Sequence, residues 1–230
     1  MSVCAIIPAA GSGSRFGGPM PKQFVEVEGK PLLAYTLDVF EQCDLIDKIM
    51  VAVSHEFLPL REELIQRFGY KKLLPFTEGG AERQETVLRA LTSLQVQPDD
   101  IIAVHDAARP LLPGKVLEEV IHSAVKYGNS VVGIKRPDTV VLVKDETMKY
   151  LDRQALISIQ TPQVFRYDLL LQAMEEAKAA GFVGTDESVL VHRTGTRVHF
   201  TEGSPLNFKV TTTEDMELFR AILKSVKTHH

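Results

Sequence analysis

The stretch Val3 to Gln23, VCAIIPAAGSGSRFGGPMPKQ, limits most strongly what this chain can fold into. Val3 to Ile7 is an apolar run without alternation, the pattern of a strand covered on both faces, as in parallel sheets. The loop behind it carries Gly11, Gly13, Gly17 and Gly18, so backbone amides can turn inward and close on a ligand. Arg15 and Lys22 add two cations to that platform, a combination that suits a polyphosphate. A dinucleotide fingerprint would need glycine where Phe16 stands and an acidic residue about 20 positions on. A P-loop would need Lys then Ser or Thr after its last glycine, where Gly18 is followed by Pro19. A dinucleotide-dependent oxidoreductase is therefore disfavoured, while a polyphosphate loop and a plain glycine-rich surface loop both stay open.

Beyond the loop, strand and helix patterns alternate. Helical spacing runs over Pro31–Gln42, Phe57–Phe68, Glu82–Leu94, Pro113–Tyr127 and Tyr167–Ala180, with a shorter helix opened by Thr185 and Asp186 and a closing one from Thr213 to about Val226. Between them lie strand patterns at Ile49–Ser54, Leu73–Phe76, Ile101–Val104, Ser130–Ile134, a short QVF at Gln163, Val198–Thr201 and Asn207–Val210. The rhythm breaks once. PDTVVLV, a polar KDET turn and MKYLDR read as two antiparallel strands with no helix between them. The expected architecture is α/β: a Rossmann-like wound, mostly parallel sheet with helices on both faces and an inserted β-hairpin arm. An isolated pair of strands needs something to pack on, so the arm is expected to lie across a second subunit.

Composition narrows the function classes. With 26 Lys and Arg against 30 Asp and Glu the net charge is −4, which offers no basic field for nucleic acid and makes the cations local devices. Two cysteines, Cys4 and Cys43, fit a reducing compartment. No run approaches the roughly 20 apolar residues of a membrane span, and no leader is expected ahead of Val3, so a cytoplasmic location is expected. His229 and His230 read as a tag remnant.

Ligands of open parallel sheets bind at the carboxyl ends of strands. HDAARP falls at such an end. Its Asp106 could reach a ribose hydroxyl, a metal or a metal's hydration shell, or could simply pair with Arg109 to shape the loop. His105 reads as packed or hydrogen-bonded rather than as a base. TEGGAERQET puts Gly79 and Gly80 ahead of a helix N-terminus, where free amides could meet the edge of a base, or where there is only a turn. No Ser/His/Asp or Cys/His set is found.

PAAGSGSRFGGPMPKQ, TEGGAERQET, HDAARP, LDR with TPQ, and NFKVTT occur in an order that resembles the sugar-type nucleotidyltransferases, in particular the 2-C-methyl-D-erythritol 4-phosphate cytidylyltransferase family. The resemblance implies a single nucleotidyltransferase domain over 1–228, with 136–156 as a dimerisation arm of a homodimer. It implies CTP as nucleotide donor, a polyol phosphate as acceptor, and Mg²⁺ held mainly by the CTP phosphates. Arg15, Lys22, Arg153 and Lys209 would be catalytic. Ala9, Ala10, Gly11, Gly13, Gly80, Ala81, Thr86 and Asp106 would join Arg15, Lys22 and Lys209 around the nucleotide. Asp106, Arg109, Thr139, Arg153, Thr161, Thr185, Lys209 and Thr211 would hold the acceptor, Thr139 and Arg153 reaching it from the neighbouring subunit. Ala81 stands where the family often has Asp, and Thr86 replaces a common Ser. Related ribitol 5-phosphate cytidylyltransferases share PKQ, TPQ and the KVT ending, so ribitol 5-phosphate is the alternative acceptor. A non-catalytic nucleotide-binding module is the alternative from another class.

Overall fold

The protein is seen here as a computed structural model that describes residues 1–11 and 20–227. Arg15, Gly13, Gly17, Gly18 and the two terminal histidines lie outside the described residues, as do the expectations placed on them.

In chain order the strands are β1 (Val3–Pro8), β2 (Glu26–Val27), β3 (Lys30–Pro31), β4 (Lys48–Val53), β5 (Thr77–Glu78), β6 (Ile101–Val104), β7 (Asn129–Lys135), β8 (Val140–Lys144), β9 (Thr147–Leu151), β10 (Ile157–Arg166) and β11 (Phe200–Glu202). The helices are α1 (Leu32–Gln42), α2 (Leu60–Phe68), α3 (Arg83–Ser93), α4 (Gly114–Tyr127), α5 (Tyr167–Ala179), α6 (Glu187–Arg193) and α7 (Thr213–Lys227). The main sheet has the order β11-β7-β10-β6-β1-β4-β5. All of its strands run parallel except β10, which is antiparallel to both neighbours.

Alternation along the buried strands feeds two cores. Val3, Ala5 and Ile7 of β1 face Leu33, Leu37 and Phe40 of α1 together with Leu64 of α2 and Leu117 of α4. Cys4 and Ile6 face Val87 and Leu91 of α3, Leu170 and Met174 of α5, and Leu190 of α6. This is the doubly covered sheet that the apolar runs require. A third, smaller cluster seats Met216 and Phe219 of α7 on Leu32, Ala108 and Val210.

Three strand expectations need correction. Leu73–Phe76 is not a strand: Leu73 makes one bridge to Ile49, Pro75 has no N–H to give, and the ladder resumes at Thr77–Glu78 against Ala52 and Val53. The short QVF strand is the end of the ten-residue β10, which tolerates Pro162 because its pairing with β7 shifts register between Ile159 and Gln163. Asn207–Val210 forms no ladder either. It is tethered by Val210 N–H to the Ala108 carbonyl at 2.8 Å and by Asn207 Nδ2 to the Thr161 carbonyl at 2.7 Å.

The hairpin is as expected. β8 and β9 pair from Val140↔Leu151 to Lys144↔Thr147, with Asp145 and Glu146 at positive φ in the two-residue turn. It connects the end of β7 to the start of β10. Since β10 alone runs backwards, both points lie at the carboxyl rim of the parallel strands, and the hairpin projects from there.

Candidate active site

The carboxyl ends of β1, β5 and β6 open into a cleft of about 550 Å³. Ala9, Ala10, Gly11 and Lys22 line one part of it, Gly80, Ala81, Arg83 and Thr86 another, and Asp106, Lys209 and Thr211 a third. Ten of the residues expected around the two substrates are thus gathered in one place.

Each wall is held locally. Gln23, buried, donates through Nε2 to the carbonyls of Ala9 at 2.6 Å and Gly11 at 2.8 Å, drawing the start of the loop behind β1 onto the Lys22–Phe24 turn. Gly79 packs so closely on Ala10 that any Cβ at this position would collide with the alanine methyl. The amides of Gly79, Gly80 and Ala81, which the sequence left open as free donors or as part of a plain turn, are taken. Gly79 N–H donates to Val53 O, Gly80 N–H to Thr86 Oγ1 at 3.0 Å, and Ala81 N–H to Glu85 Oε2 at 2.8 Å. Helix α3 supplies the last two acceptors from its own first turn, in the manner of a cap. Thr86 is therefore first a clasp for the turn.

Asp106 is the electrostatic hub. Its Oδ1 lies 3.2 Å from Arg83 Nε, and its Oδ2 lies 3.0 Å from Lys209 Nζ and 3.3 Å from Arg109 Nε. Burial alone would push its carboxyl up, but Lys209, Arg83 and Arg109 outweigh that and hold it well below the usual carboxylate range. The pairing with Arg109 weighed from sequence is present, as one of three. Arg109 also donates to the Asn207 carbonyl at 2.8 Å and faces away from the cleft lining. Thr161 is buried behind Asp106, its Oγ1 accepting from the Asp106 amide at 3.1 Å and lying 3.1 Å from His105 Nδ1. His105 is packed and hydrogen-bonded as expected, and burial pushes its imidazole down to about 4. Thr185 is exposed ahead of α6, which is capped by Asp186 alone, through Val189 N–H. Thr139 and Arg153 are exposed at the hairpin's foot, where Arg153 Nη1 donates to the Pro137 carbonyl at 3.0 Å. Neither reaches this chain's own cleft lining.

Sequence reasoning passed over Gln23, Arg83 and Glu187. Arg83 bridges Asp106 and Glu187, whose Oε1 accepts from Arg83 Nη1 at 2.7 Å. A signal was there: Arg83 precedes buried Thr86 and Val87 by three and four positions, and Glu187 precedes buried Leu190 and Val191 likewise, so each charge heads an inward-facing stripe.

A doubly covered, mostly parallel sheet with a cation-lined cleft at its carboxyl rim defines a wound α/β protein built to receive an anionic ligand. The chain belongs to the 2-C-methyl-D-erythritol 4-phosphate cytidylyltransferase family, whose IspD family model matches residues 3–225. It is 39% identical over 231 residues to 2-C-methyl-D-erythritol 4-phosphate cytidylyltransferase of Geotalea uraniireducens, covering 99% of each chain. To the enzyme of the same name from Clostridium acetobutylicum it is 37% identical, over 96% of this chain and 97% of the relative. Among solved structures, 2-C-methyl-D-erythritol 4-phosphate cytidylyltransferase from Thermus thermophilus superposes with a TM-score of 0.81 at 32% identity, covering 97% of this chain and all of the other. The 4-diphosphocytidyl-2C-methyl-D-erythritol synthase from Anaerococcus prevotii gives 0.86 at 27% identity, with 97% and 96% covered.

Proposed function

We propose that this protein transfers a cytidylyl group from CTP to 2-C-methyl-D-erythritol 4-phosphate, giving 4-diphosphocytidyl-2-C-methyl-D-erythritol and pyrophosphate in non-mevalonate isoprenoid biosynthesis. Near full-length membership of the family carries the reading, and the names of the relatives favour methylerythritol phosphate over ribitol 5-phosphate. The cleft supports it: Lys22 and Lys209 bring cations from distant segments to one space, as the meeting of two phosphorylated anions requires.

The acceptor phosphate oxygen is itself the nucleophile, so binding, alignment and charge stabilisation are the protein's tasks. The loop behind β1, with Lys22 and Arg15, holds the triphosphate. The Gly80–Thr86 turn receives the base, and Lys209 with Thr211 receives phosphate. Among the described residues no three His, Cys, Asp or Glu side chains gather to hold a metal. Asp106 is the carboxylate lining the cleft with Glu82, and it is already engaged by cations. That donor set fits Mg²⁺ carried mainly by phosphate oxygens, where it would neutralise triphosphate charge.

We assign the chain a single domain over 1–228 and a homodimer formed through its 136–156 arm. On the hairpin, Val141, Val143, Met148 and Tyr150 share one face, and the last three are 65%, 66% and 69% exposed. A second copy is the natural cover for that face, and such a contact would carry Thr139 and Arg153 to the partner's cleft. No helix among the described residues is long and apolar enough to cross a membrane. The two unpaired cysteines fit a cytoplasmic setting.

Pyrophosphate release with CTP, Mg²⁺ and each acceptor tests the assignment. Turnover with methylerythritol phosphate is expected. Turnover with ribitol 5-phosphate alone would move the acceptor, and CTP binding without turnover of any acceptor would leave a binding module.

A further inference from the structure

One buried carboxyl group lies behind the cleft and outside its lining. Glu187 is 1% exposed, and its Oε2 has no hydrogen-bond partner. Burying a carboxylate with one oxygen unsatisfied is costly, and a single buried ion pair seldom returns that cost to folding. The other buried residues of α6 are Ser188, Leu190 and Val191, so an apolar pair in place of Glu187 and Arg83 would serve folding at least as well.

Its effect falls on Arg83. The guanidinium is fixed at Nη1 by Glu187 and presents Nε to Asp106 Oδ1. Lys209 and Arg109 both hold the other oxygen, Oδ2. Without Lys209, Asp106 would still have an arginine on each oxygen, Arg83 on Oδ1 and Arg109 on Oδ2.

We propose that Glu187 and Arg83 are positioning residues of the transfer reaction: Glu187 orients the Arg83 guanidinium, and Arg83 holds the Asp106 carboxylate in place while Lys209 leaves it for phosphate. The role rests on the cytidylyl-transfer reading. It links α6, behind the cleft, through α3 to the HDAARP loop after β6.

The test combines pyrophosphate-release kinetics with carboxyl-carbon NMR of aspartate-labelled protein, Asp106→Asn assigning the resonance. Glu187→Gln is expected to lower kcat roughly tenfold with KM for CTP within about twofold, and Arg83→Met at least as much. Adding Glu187→Gln to Arg83→Met should cost less than about twofold more, because Glu187 acts through Arg83. Arg83→Met with Glu187→Leu, which replaces both partners of the buried pair, should lose the same activity while melting at or above the wild-type temperature, which a folding role would not allow. The groups facing Asp106 are Arg83 from α3, Lys209 from the loop after β11 and Arg109 from its own loop, with His105 and Glu187 behind them. Removing Arg83 should therefore move the Asp106 titration upward, and Arg83→Lys should restore part of it. A wild-type kcat in Glu187→Gln, or an unmoved Asp106 signal in Arg83→Met, overturns the proposal. If the wild type itself released no pyrophosphate, the function would fail, and the Asp106 titration would still decide whether Arg83 holds the carboxylate.

Discussion

His105 shows how a residue can sit beside the chemistry and serve architecture. Both ring nitrogens are engaged, Nδ1 near Thr161 Oγ1 and Nε2 near the Arg109 carbonyl, and the ring is fully buried. It stays neutral in the fold down to about 4 but protonates near 6.5 when unfolded. Between those values the unfolded chain binds the extra proton, so stability falls as pH falls, by about 3 kcal/mol across the window. Urea midpoints should drop from pH 6.5 to 4, and less steeply in His105→Gln. Glu187, raised by burial, acts in the opposite sense above 4.5, and Asp106, held low, acts only below 3.8, so the His105→Gln comparison isolates the ring. Lys209 is the contrasting residue, its side chain 37% exposed and its amine 3.0 Å from Asp106. Lys209→Ala should lower kcat/KM by about 10²–10³, the usual cost of one charge-stabilising donor, with little change in melting temperature.

At the scale of elements, the loop behind β1 depends on Gln23 more than its glycines suggest. Gln23→Leu would leave the buried Ala9 carbonyl without its donor, so a loss of about 1–3 kcal/mol in unfolding free energy and a higher KM for CTP are expected. Most elements were legible because the strands are covered on both faces and their apolar runs stand out. β10 was not, since Pro162 reads as a strand breaker and only tertiary pairing with two neighbours, through a register shift, overrides it. The Asn207–Val210 segment misled in the other direction: its β-like residues join no ladder, and Lys209 among them lines the cleft. At the site the glycines and HDAARP were visible as local patterns. The Arg83 bridge was harder to see, because Glu187 is 104 residues away and only the packing of α3 against the α5–α6 layer brings the two together.

For the whole molecule, the proposed dimer would make the arm's apolar face and the site one question. Val143→Glu with Tyr150→Glu should give a monomer by light scattering, with folded circular dichroism and little activity. Arg153→Ala should lose activity heavily and stability hardly at all, since its side chain is exposed and, among the described residues, bonds only the Pro137 carbonyl. If Arg153 serves the partner's cleft, mixing inactive Arg153→Ala with inactive Lys209→Ala subunits should recover turnover, because each mixed pair contains one intact site. No recovery after subunit exchange would place Arg153 in its own subunit's chemistry or outside it. The reversed direction of β10 has a further result. The chain leaves and re-enters the sheet at a single rim, so whatever is spliced between those two points is displayed to the outside while every ladder and both cores stay closed. Trimming the excursion to a tight turn should yield a well-folded but solitary and idle enzyme, and grafting a different hairpin there offers a route to choosing which subunits recognise one another.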